Sequence, residues 1–78
     1  MKLIDVIKAF FNFDLSNWGF VFKVWKYPSD VNKTMCENME VCYGKVPEKY
    51  NDKRCCQVYF DASERSATFF CSENDEEW

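Results

Sequence analysis

The chain has 78 residues, a net charge of −3 and 47% hydrophobic side chains, which describes one small globular domain and excludes a disordered polyelectrolyte. A core of this size rarely contributes more than about 3–5 kcal/mol net, but 8 Phe, 4 Tyr and 3 Trp give this one an unusual supply of buriable area. Net acidity makes direct nucleic-acid binding a poor fit, since that affinity comes mainly from neutralising phosphates, and points instead to a basic protein surface.

Residues 2–11 read as an amphipathic helix, with Leu3, Ile4, Ile7, Phe10 and Phe11 at helical spacing and Lys2, Asp5 and Lys8 between them. "NFDLSNWG" breaks the period with turn formers. "GFVFKVWKY" over 19–27 then reads as a strand that Pro28 ends. Phe20, Phe22 and Val24 fall on one side of it; Val21, Lys23, Trp25 and Tyr27 fall on the other. Both sides are apolar. If the helix covers the Phe20 side, Trp25 and Tyr27 face outward and need a second layer, a homodimer partner or a target protein.

"SDVNKTMCENME" is either a loop or a short helix capped by Ser29 or Asp30. A short strand over 39–44 closes at Gly44, and a polar link follows, with one helical turn after Pro47. Strands over 56–61 and 67–72 form a hairpin across "ASER". The expected architecture is α+β, with the N-terminal helix on a three- or four-stranded antiparallel sheet. Residues 1–72 form the domain, and 73–78 form an acidic tail carrying Glu73, Asp75, Glu76, Glu77 and Trp78.

The five cysteines, Cys36, Cys42, Cys55, Cys56 and Cys71, all lie in the second half. Three readings compete. Their order, with a vicinal pair, resembles cystine-knot toxins, and that resemblance implies a secreted disulfide scaffold; the sixth cysteine of that framework is missing. A zinc adaptor would need four ligands, and there is neither a His nor a C-x2-C pair. The third reading makes them small apolar residues of a reducing compartment, with Cys55 and Cys56 on opposite faces of a strand.

Asp5 and Lys8 interrupt any signal-peptide core, and no apolar run reaches the roughly 18 residues of a membrane span, so the expected location is cytoplasmic. Catalysis has little to draw on. There is no His, and Gly19 and Gly44 alone cannot form a phosphate-binding loop. Lys53 and Arg54 beside Cys55 could lower a thiol pKa, but they also suit a charged turn before a strand. The expectation is a non-enzymatic protein with no cofactor and no metal.

Charge is unevenly distributed: residues 1–35 hold 5 basic and 3 acidic side chains, and residues 36–78 hold 5 and 10. The acidic half and the aromatic strand give a candidate partner surface of Trp25, Tyr27, Tyr59, Glu73, Asp75, Glu76, Glu77 and Trp78. "MKLIDVIKAF", the aromatic strand, a "GKVP" bend and a terminal hairpin together resemble short proteins encoded by phages and mobile elements of Firmicutes; the five cysteines depart from that pattern. The resemblance includes anti-CRISPR-type inhibitors. It implies an inhibitor that blocks a basic, nucleic-acid-handling host protein such as a CRISPR effector.

Overall fold

The structure is a computed structural model that describes residues 2–10 and 17–74. Helix α1 (Leu3–Phe10) precedes strands β1 (Gly19–Trp25), β2 (Asn38–Tyr43), β3 (Arg54–Asp61) and β4 (Ser66–Ser72), with single 3-10 turns at Pro28–Asp30 and Glu48–Tyr50. The strands form one sheet in the order β2-β1-β4-β3. The α+β class and the N-terminal helix stand, as does the terminal hairpin, in which β3 and β4 pair antiparallel. The sheet, however, is mixed: β1 and β4 run parallel, side by side at its centre.

That correction has a clear physical origin. Parallel neighbours need a long crossover, and here everything between residues 26 and 65 supplies it. β2 returns antiparallel along one side of β1. The chain then crosses the sheet through residues 44–53 and starts β3 at the opposite edge. Gly44 begins the crossing with φ 77°, a left-handed conformation that a glycine adopts without strain.

The sheet register defines two faces. On the inner face, Phe20, Phe22 and Val24 of β1 line up with Ala67, Phe69 and Cys71 of β4, and all six are buried. Leu3 and Val6 of α1 close over them, with Ile7 packed alongside. The Leu3 and Ile4 amides donate to the carbonyls of Lys53 and Asn51, which anchors the helix start to the crossing segment. Tyr50, from that same segment, stacks on Phe22 at 4.3 Å between ring centroids, and Phe22 in turn stacks on Phe69 at 5.3 Å. The core is therefore roofed by two elements, a helix and a crossing turn.

The outer face is covered at one end only. Trp25 stacks on Phe70 at 5.8 Å, and its indole N–H donates to the Thr34 carbonyl at 2.9 Å. Asn32, in the same overlying segment, donates from Nδ2 to Gln57 Oε1 on β3 at 3.1 Å. Residues 26–37 thus form a strap across this end of the sheet. The strap is neither a plain loop nor a helix capped by Ser29 or Asp30; its one helical turn starts at Pro28 and has no side-chain cap. Hydrogen bonding continues beyond β4, with Glu73 N–H donating to Trp25 O and Asn74 N–H to Lys26 O.

Candidate functional site

Away from the strap, no element among the described residues covers the outer face. One row runs across the whole sheet at a single level: Val41 on β2, Val21 on β1, Thr68 on β4 and Tyr59 on β3. Tyr43 and Gly19 pair in the next row down, and Met39 flanks Lys23 in the row above. Four large apolar side chains of this face are well exposed: Tyr43 at 77%, Tyr59 at 60%, Met39 at 58% and Val41 at 49%. Scattered exposed apolar residues are ordinary on protein surfaces, but a contiguous set marks a contact surface.

Local geometry shapes the lower part of this face. A Cβ added at Gly19 would lie 3.3 Å from Cε1 of Tyr43, so the missing side chain lets the Tyr43 ring lie across β1. Gly19, Val21, Val41 and Tyr43 floor a depression of about 390 Å³, with Glu64 and Arg65 on its rim. The rim belongs to the β3–β4 turn, where the Asp61 carboxylate accepts from Ser63 Oγ at 2.7 Å and from the Glu64 amide at 3.2 Å. These bonds hold the Asp61 carboxyl below its ordinary pKa.

The candidate residues read from the sequence divide into three groups. Tyr59 lies exposed on the outer face as expected, and Tyr27, at 38% exposure, lies past the end of β1 with Lys26 Nζ 5.7 Å from its ring centroid. Trp25 is on the expected face but is 4% exposed, because the strap folds over it and takes up its N–H; the expectation that it faces outward is corrected. Glu73 is exposed and pairs with Lys53 at 3.8 Å. Asp75, Glu76, Glu77 and Trp78 lie outside the described residues.

Met39, Val41 and Tyr43 take the place that the sequence reading gave to Trp25. The signal was the alternation in "MEVCY", where Met, Val and Tyr share one parity and Glu40 and Cys42 the other. Ordinarily the apolar parity would face the core. Here Glu40 turns to the inner side, where it pairs with Lys49 at 2.7 Å and accepts from the Tyr50 hydroxyl, both from the crossing segment. Lys49 and Tyr50 hold its carboxyl below the ordinary range, while burial and then the Glu40 bond push the Tyr50 hydroxyl well above its own.

All five cysteines are unbridged. Cys55 pairs with Cys71 across β3 and β4 on the inner face, and a bulge between Cys55 and Gln57 sends exposed Cys56 toward Ser72 on the outer side. The contact with Cys55, followed by burial, raises the Cys71 thiol pKa and keeps it protonated. Burial likewise raises that of Cys42, with the Glu40 charge adding to it. Among the described residues, no three His, Cys, Asp or Glu side chains gather at metal-binding spacing. No helix among them is long and apolar enough to cross a membrane. Comparison with protein-family models, with curated proteins and with solved structures found no significant match.

Proposed function

We propose that this chain acts by binding a protein with a basic surface and blocking it, without catalysing a reaction, and that the target is a nucleic-acid-handling protein of the RNA-guided nuclease kind. What supports this reading is the bare row of Val41, Val21 and Tyr59 with neighbouring Met39 and Tyr43, which offers hydrophobic contact in a net acidic chain. The acidic excess lies in residues 36–78, which also supply three of the four strands. Aromatic anchors on such a face would contribute most of the affinity, and the surrounding acidic charge would speed encounter with a basic partner.

A panel of purified basic nucleic-acid-binding proteins, RNA-guided nucleases included, tests this through displacement of their bound nucleic acid. The chain should displace nucleic acid from at least one member. Tyr59→Ser should weaken that displacement by about tenfold or more, as loss of an aromatic anchor does. If no member responds, or if Tyr59→Ser acts as well as the parent chain, the reading is wrong.

A further inference from the structure

The two edges of the sheet are finished differently. β3 is interrupted by the bulge after Cys55, is bracketed by Arg54 and Asp61, and pairs at its start with Lys2. These are the usual ways of preventing a sheet edge from recruiting another strand. β2 is less protected: "NMEVCY" contains no proline, no lysine and no bulge within its register, and its one inward-pointing charge, Glu40, is neutralised by Lys49. Among the described residues nothing pairs with its outer edge.

The hydrogen-bond phase of that edge follows from the register. The Gly44 amide donates to Trp18 O, and continuing this alternation along β2 directs the backbone groups of Asn38, Glu40 and Cys42 toward β1; the alternation ends there, because the Glu37 amide also turns to β1 and donates to Val24 O. Met39, Val41 and Tyr43 therefore turn their N–H and C=O groups outward. Two identical antiparallel strands related by a two-fold axis must place one residue opposite its own copy. Centring on Glu40 would set two carboxylates against each other, which is destabilising. Centring on Val41 joins the outward-bonding residues, sets Met39 against Tyr43 of the second copy, and extends the apolar row across both chains. It also brings the exposed Glu37 that precedes each strand near the exposed Lys45 that follows the other, so opposite charges flank the seam at both ends.

We propose that the chain forms a two-fold dimer through antiparallel β2–β2 pairing centred on Val41, giving one continuous eight-stranded sheet. This does not depend on the inhibitor reading, because Tyr59 lies on the far strand and its replacement leaves self-association unchanged.

Sedimentation equilibrium of the full chain should show a concentration-dependent mass of twice 9.4 kDa. Val41→Pro removes an outward N–H that β1 does not use and should give a monomer whose β1 and β4 amides remain protected from exchange. Glu37→Lys and Lys45→Glu should each weaken the dimer by roughly tenfold, since each change creates like-charge contacts at both ends. The double variant, Glu37→Lys with Lys45→Glu, should recover most of that loss. A monomeric parent chain overturns the proposal, as do single reversals without effect or a double variant as weak as the singles; recovery in the double variant upholds it even if Val41→Pro unfolds.

Discussion

The inner and outer faces of this sheet are made from the same strands and differ in what lies over them. Inside, α1 and the crossing segment seal Phe20, Phe22 and Phe69 completely. Outside, the strap seals Trp25 but leaves Val41, Tyr43 and Tyr59 exposed. β1 is apolar on both sides, so its composition does not distinguish the faces; the covering elements do. A strand apolar on both sides has one side committed to folding, and here half of the other side stays partly exposed.

The sharpest break in that comparison should come from the sealed face. Phe69→Ala removes the ring stacked on Phe22 and facing Phe20, and should cost about 3–5 kcal/mol, most of the stability of so small a domain. Denaturant unfolding measures this, and a loss below about 1 kcal/mol would mean that the inner face is not the core. Trp25→Ala tests whether the strap makes part of the outer face a true second core. It should cost about 2–4 kcal/mol and expose residues 28–37 to rapid amide exchange while the inner core stays protected. A near-neutral result would return Trp25 to the surface set.

The finest test concerns the charged hinge between the faces. The folded pKa of Glu40 is depressed from its ordinary 4.5, first by Lys49 and then by Tyr50. Its stabilising effect is therefore present above pH about 4.5 and is lost as pH falls below that value through the folded pKa. Glu40→Gln should flatten the acid limb of the stability profile below pH about 4.5 and leave the neutral profile nearly parallel to that of the parent chain. If the acid limb is unchanged, the Glu40–Lys49–Tyr50 contacts are not what fixes the phase of β2.

The sequence was most legible where structure is local. The spacing of Leu3 and Ile7 marked the helix, the "ASER" turn marked the hairpin, and Pro47 marked the 3-10 turn that follows it. It was least legible where a residue's fate depends on a distant segment. Nothing near Gly19–Trp25 indicates that its second neighbour is β4, in parallel. Trp25 is buried because the segment carrying Thr34 folds back and takes up its N–H, and Glu40 faces inward because Lys49 and Tyr50 meet it there. The first overturns the outward Trp25 read from local alternation, and together they move the candidate surface from the β1 tryptophan to the side chains of β2, beside Tyr59 of β3.

The parallel pairing at the centre of the sheet also governs the order in which the chain can fold. Each β1 residue lies 47 positions ahead of its β4 neighbour, as Gly19 does of Ser66. Contacts so far apart in sequence slow folding, because the loop must close before the pairing returns any free energy. At ribosomal speeds that interval corresponds to roughly 2–9 s of synthesis. Once Asn38–Tyr43 has been made, β1 can have β2 on one side but still has an unfilled edge on the other, with its phenylalanines awaiting Ala67, Phe69 and Cys71. The last strand made is the one that completes the middle of the sheet, so a chain that ends before Ser66 lacks the centre of its core rather than its margin.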